Sequence, residues 1–163
     1  MRAVSNTSPL SNLAVIGRLD LLKSQLSEVW IPDSVLNELG AHPDPAALSA
    51  IREALSKGWL KCRAPAASPL LRLLSLHLHP GEAETIPLAV ELQADVVIID
   101  EQEGREFATQ VGLRVVGVAG ILLRAKREGQ IPALKPEIAS LRQNGRFFVA
   151  ASLEAKVLAA AGE

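Results

Sequence analysis

Tyrosine is absent from this 163-residue chain, and aromatic residues together make up only 3% of it. Any core must therefore be assembled mainly from Leu, Val, Ile and Ala. Cys62 is the single cysteine, which excludes an intrachain disulfide and suits a reducing, cytoplasmic setting. Long apolar runs are missing as well. Val115 to Leu123 falls well short of the roughly 20 residues that span a bilayer, and Met1 to Asn6 lacks the apolar core of a signal peptide. No association with a membrane is expected. A surplus of one charge is also wanting: the formal net charge is −1, so no global field draws in a polyanion. Neither a G-x-G-x-x-G nor a Walker-type loop follows the first strand, which counts against a nucleotide-binding domain. Repeats and low-complexity segments are absent too.

What is present is 48% hydrophobic and 21% charged, enough to bury the core of one ordinary domain. Charge is unevenly spread. Residues 1–104 carry 8 Lys and Arg against 13 Asp and Glu, whereas residues 105–163 carry 9 against 5. An acidic site beside a basic rim, or chance scatter over a solvated surface, would give this distribution.

Arg2 to Asn6 reads as a strand, stopped by Thr7-Ser8-Pro9, where Ser8 is placed to cap a helix and Pro9 to open it. A second helix carries Leu19, Leu22 and Leu26. Glu28 to Ile31 is a strand and Val35 to Leu39 a short helix. Ala46 to Ser56 is helical, Trp59 to Arg63 extended and Leu70 to Leu76 helical. Gly81 to Leu92 follows as a helix, in which Pro87 fits only a first turn or a kink. Val96 to Ile99 is unbroken and apolar, as a parallel strand covered on both faces must be. Gly104 to Val111 is helical, Arg114 to Val116 a strand, and Ala119 to Arg127, Pro136 to Asn144 and Ala151 to Ala161 are helices. Strands alternating with helices at this spacing predict a three-layer α/β/α sandwich on a mainly parallel sheet.

Sites in such sheets gather at the carboxyl ends of the strands. Asn6 ends the first strand and Asp100 the apolar one. Glu38 ends the short helix after the second strand. Glu82 and Glu84 open the helix leading to the Asp100 strand, where the helix dipole alone would favour acids. All are oxygen donors of the kind hard cations prefer, and clustered carboxylates repel one another unless a cation sits among them. His77 and His79 alternate around Leu78 without Cys or His partners at zinc-ligand spacing, and with His42 they are expected near a loop or a site's rim. Trp30 and Trp59 read as core, and Cys62 as a small buried residue.

The order of these pieces resembles the PIN-domain nucleases. The resemblance rests on Val4-Ser5-Asn6-Thr7-Ser8-Pro9-Leu10, on Ile31 to Leu39 with Glu38, on Gly81-Glu82-Ala83-Glu84 with Ala89, and on Ala94 to Asp100. It continues through Gly104-Arg105 and Val116 to Leu122, in the manner of a prokaryotic subgroup similar to the ribonuclease toxins of toxin–antitoxin systems. It covers roughly residues 2 to 132. The division implied is a PIN-like domain over 1–132 and a helical extension over 133–163 packed on it.

The resemblance implies a Mg²⁺- or Mn²⁺-dependent endoribonuclease, with RNA, or DNA in some members, as substrate. A cognate antitoxin and a homo-oligomer are the partners it implies. Carried over by position, Asn6, Glu38, Glu82 and Asp100 are the catalytic set. These four with Glu84 are the candidate metal ligands, Glu84 competing with Glu82 for the third place. Thr7, Ser8, Glu101, Glu103 and Arg105 are expected to bind substrate or to support the ligands. Such an ion lowers the pKa of water and neutralises charge growing on phosphate. Asn6 departs from the family pattern, which has Asp there. Its amide oxygen can still ligate a cation but brings no charge, so the alternative is a catalytically weakened or inactive PIN-fold module that binds nucleic acid or an interaction partner.

Overall fold

The alternation is realised in a computed structural model that describes residues 1–145 and 147–163. The elements are β1 (Arg2–Ser5), α1 (Thr7–Val15), α2 (Asp20–Gln25), β2 (Glu28–Ile31), α3 (Asp33–Gly40), α4 (Pro45–Ser56), β3 (Leu60–Cys62) and α5 (Pro69–Ser75). After these come α6 (Pro80–Glu91), β4 (Val96–Ile98), α7 (Gln102–Gln110), β5 (Val115–Val116), α8 (Val118–Arg127), α9 (Lys135–Asn144) and α10 (Ala151–Ala161).

The five strands pair in the order β3-β2-β1-β4-β5, all parallel. β1 is central, with Val4 opposite Trp30 on one side and Val97 on the other. Successive residues of β4 feed opposite faces. Val96 and Ile98 join a core with residues of α1 to α4 and α8 to α10, while Val97 and Ile99 join one with residues of α5 to α7. The chain thus winds outward from β1 in one direction through β2 and β3, and in the other through β4 and β5. A crevice opens at the carboxyl ends of strands where the winding reverses, here between β1 and β4.

Three local expectations are corrected. The cap of α1 is Asn6, not Ser8, because the extended backbone of β1 continues through Asn6, whose side chain accepts from the Thr7 amide at 2.8 Å. Pro87 lies well inside α6 without ending it, and its ring is buried there. Cys62 is half-buried rather than buried, and its thiol donates to Asp33 Oδ1 at 3.0 Å. Burial, then the Asp33 carboxylate, pushes that thiol up to about 12.

The last helices pack onto the same core, through Ile138, Leu141 and Val157. Arg18 clamps Glu137 at 2.6 Å, and the Glu163 carboxylate accepts from the Leu134 and Lys135 amides at 2.6 and 3.0 Å. Among the described residues no helix is long and apolar enough to cross a membrane.

Candidate functional site

The crevice is an open cleft of about 720 Å³. Its lining includes Asn6, Thr7 and Ser8 from the start of α1, Glu38 from α3, Gly81 and Glu82 from α6, and Glu101 after β4. Folding brings these together because β1 and β4 are neighbours, while α3 and α6 each deliver a first or last turn over the same strand ends.

Asn6 organises one side. Its Oδ1 accepts from the Thr7 amide at 2.8 Å and its Nδ2 donates to Glu101 Oε2 at 3.2 Å. The orientation is fixed by chemistry, since a flipped amide would set donor against donor at Thr7 and acceptor against acceptor at Glu101. Glu101 also accepts from the Ser8 hydroxyl, and Glu38 from the Thr7 hydroxyl. A Cβ on Gly81 would stand 2.9 Å from Asn6 Oδ1 and 3.2 Å from Glu38 Oε1. Those two oxygens therefore face each other across a glycine, in space that any side chain would fill.

Glu82 is buried in the cleft wall, and its Oε1 has no hydrogen-bond partner among the described residues. Burial raises its pKa, and the charge of Glu101 raises it further, against the opposing influence of His79. Glu84, two residues on, points elsewhere and accepts from the Ser34 hydroxyl at 2.6 Å at the start of α3. Glu103 is in the first turn of α7 and is not among the residues lining the cleft.

Asp100 does not line the cleft either. Its Oδ1 accepts from the Val118 amide at 2.8 Å, at the start of α8, while its Oδ2 is buried without a partner among the described residues. A Cβ on Gly117 would lie 2.5 Å from Oδ1, so only glycine admits this approach. Burial pushes the Asp100 carboxyl up to about 6, although the Val118 amide and Arg105 both favour its charge. Arg105 sits beside it and donates to the Ile99 carbonyl at 2.7 Å, so its guanidinium is engaged away from the cleft.

The cleft thus holds Asn6, Thr7, Ser8, Glu38, Glu82 and Glu101. It excludes Glu84, Asp100, Glu103 and Arg105. Ser11, Asn12 and Asn144, which no sequence motif singles out, also line it, and so do His42 and His79, two of the three histidines expected near a loop or a rim. The signal was available for α1, where Thr7, Ser8, Ser11 and Asn12 recur at helical spacing as a polar stripe.

Among the described residues no three His, Cys, Asp or Glu side chains are gathered into a ready cation cage. The donors nevertheless fit a hard divalent cation. Glu82 Oε1 is a buried, unpaired carboxylate oxygen, and the charge of Glu101 makes its ionisation harder still. A cation between them would relieve both penalties.

Comparison with known proteins gives the fold independent footing. A family model described as a PIN domain matches residues 2–163. Among solved structures, a PilT N-terminus domain protein from the hyperthermophilic archaeon Sulfolobus solfataricus is similar at 20% identity and a TM-score of 0.51, covering 77% of this chain and 93% of that one. A domain of a functionally unknown protein from Methanocaldococcus jannaschii is similar at 15% identity and a TM-score of 0.47, covering 71% and 89%. No curated protein matches the chain.

Proposed function

The chain belongs to the PIN-domain family, and on that premise we propose that it is a divalent-cation-dependent endoribonuclease whose site is the cleft beside β1 and β4. One observation carries the reading. Glu38, Glu82 and Glu101, from three separate parts of the chain, line one open cleft, and Glu82 keeps a buried oxygen without a partner among the described residues. Stability alone gives no reason to hold an unpaired carboxylate beside another.

Glu82, Glu101 and Glu38 would hold Mg²⁺ or Mn²⁺. When bound, such an ion supplies Lewis acidity to water and phosphate. The chain's own residues do the positioning. Asn6 and Ser8 fix the Glu101 carboxylate from two sides, and Thr7 fixes Glu38. In the reaction a water oxygen bonds to phosphorus, one ester P–O bond breaks, and the departing oxygen takes up a proton. Asp100 acts from behind by tying the end of β4 to the start of α8, which sets the direction of Glu101.

The family reading extends to a cytoplasmic toxin with a cognate antitoxin, and to a homo-oligomer. A small neighbouring reading frame with a DNA-binding N-terminus would support the first, and light scattering tests the second. The chargeless Asn6 favours one other reading, a PIN-fold module that binds without cutting. The deciding experiment is cleavage of single-stranded RNA, and of DNA, with Mn²⁺ or Mg²⁺, by the native chain and by Glu82→Ala. Cleavage by the native chain alone is expected. Equal cleavage by both would expose a contaminant and sink the proposal, and none by either, with Mn²⁺ bound, would leave the binding module.

A further inference from the structure

We propose that the part of the cleft lying beyond the carboxylates is a nucleoside subsite, holding the base and sugar of one residue of the substrate strand; the idea rests on the nuclease reading above. The cleft runs along α1. Glu101 and Glu38 meet its first turn at Ser8 and Thr7, whereas His42 meets Ser11 one turn farther on. Asn12 and Val15 continue the floor, and Asn144 at the end of α9 is part of the lining.

Apart from the Asp44 carboxylate and the His42 ring, the described side chains of this second part are uncharged, and between them they donate and accept. The Asp44 amide donates to His42 Nδ1 at 3.1 Å, so in the neutral ring Nδ1 carries no proton and Nε2 does. Nε2 then donates to Ser11 Oγ at 2.7 Å, which leaves the Ser11 hydroxyl proton for another acceptor. Asn144 commits its NH₂ to the Ser140 carbonyl and hydroxyl at 3.1 and 3.3 Å, so its Oδ1 stays available as an acceptor. Asn12 is 5% exposed, and its side chain has no hydrogen-bond partner among the described residues, although it can both donate and accept.

A phosphate asks for donors and positive charge. The lining offers no Lys or Arg among the described residues, and Asp44 places a carboxylate here, engaged with the Ala46 and Ala47 amides at 2.9 and 3.3 Å. A base edge and a sugar hydroxyl are neutral and carry donors and acceptors side by side. That is the complement of Ser11, Asn12 and Asn144, with Val15 as apolar surface for a ring. The strand would lay a phosphate at the carboxylates and the adjoining nucleoside along α1.

Uncharged nucleosides test this without any need for a cation. Adenosine, guanosine, cytidine and uridine are titrated into the EDTA-treated chain while the amide signals of Ser11, Asn12, His42 and Asn144 are followed by NMR. At least one nucleoside should shift these signals saturably. Asn12→Ala should weaken it about fivefold, the loss of roughly one hydrogen bond. The exposed Asn144→Ala should do the same without risk to folding, and Mn²⁺ affinity read by EPR should be unchanged in both. If the native chain binds Mn²⁺ but no nucleoside moves these signals, the subsite is wrong and the nuclease reading stands. If nucleosides bind and Mn²⁺ does not, the subsite stands and the nuclease reading fails.

Discussion

Asn6→Asp is the sharpest perturbation of the site, because it restores the family's charge while removing one hydrogen bond. One oxygen of the new carboxylate would keep the bond from the Thr7 amide, now 2.8 Å. The other would turn onto Glu101 Oε2, where Nδ2 now donates at 3.2 Å. A hydrogen bond to a charged group worth about 1.5–3 kcal/mol is lost. Two like charges some 4 Å apart add up to about 4 kcal/mol at an effective dielectric of roughly 20. Proton uptake and side-chain rotation relieve part of that, leaving a net destabilisation of about 3 kcal/mol in EDTA near neutral pH. For a domain of this size that is a fall in Tm of about 6–12 °C.

The sign with pH follows from linkage. The new carboxylate pair binds its last proton more tightly folded than unfolded. The variant should therefore match the native chain at the acid end of the range and fall behind as rising pH ionises both carboxylates. Mn²⁺ should offset the deficit, since at one saturating concentration the variant gains more than the native chain by RT ln of their affinity ratio, about 2.7 kcal/mol if the restored charge tightens the site roughly a hundredfold. Thermal melts of both chains across pH 4–8, with EDTA and with MnCl₂, measure all three effects. Equal melting in EDTA at pH 7.5 together with equal shifts by Mn²⁺ would refute the placement of Asn6 against Glu101.

Glu101→Gln should weaken Mn²⁺ at least about tenfold, while Asp100→Asn should leave it within a few-fold; calorimetric titration compares them, and the reverse order would overturn the assignment. Asp100, held at about 6 by burial, binds its proton more tightly folded than unfolded. In EDTA it should therefore cost on the order of 2 kcal/mol as pH rises from 4 to 7. Asp100→Asn should flatten that slope in urea denaturation, and an unchanged slope would remove the carboxyl from the account. Gly81→Ala puts a methyl 2.9 Å from Asn6 Oδ1 and 3.3 Å from Val35 Cγ2. It should cost about 1–3 kcal/mol and abolish Mn²⁺ binding with the far-ultraviolet circular dichroism unchanged; native Mn²⁺ affinity would contradict the geometry.

The sheet was legible because its signals are local. Val96 to Ile99 declared a strand covered on both faces, and Glu28 to Ile31 kept its predicted ends. The same apolar run hid the phase of the residues after it. Where both faces are buried, no polar residue marks which side is which. The alternation that sends Ile98 to the α8 side sends Asp100 there too, into the Val118 amide, and leaves Glu101 to the cleft. Glu82 and Glu84 were indistinguishable for a related reason. Both suit the first turns of a helix by charge, and only the packing of α6 on α3 turns Glu84 to Ser34 and Glu82 to the cleft. The cap of α1 is ambiguous in the sequence because Asn6 and Ser8 are equally good capping residues. The choice was made by how far β1 extends, which neighbouring strands decide.

The electrostatics of the cleft bear on whether cutting and binding can be separated. Glu38, Asp44, Glu82 and Glu101 line it, and no Lys or Arg does among the described residues. A surface meant only to hold a polyanion has the opposite composition, because phosphate affinity comes chiefly from neutralising charge. Without a cation Glu38, Glu82 and Glu101 repel a strand where a phosphate would have to sit. With one bound, the repulsion becomes attraction at that point alone, and the stretch beyond it, which carries the Asp44 carboxylate and no cation among the described residues, does not attract the backbone. The groups that would hold a cation for hydrolysis are thus the groups that decide whether a strand enters. The described lining supplies no cationic group through which nucleic acid could be held without a metal ion, so on these residues the binding-only reading requires either a bound cation or a different surface.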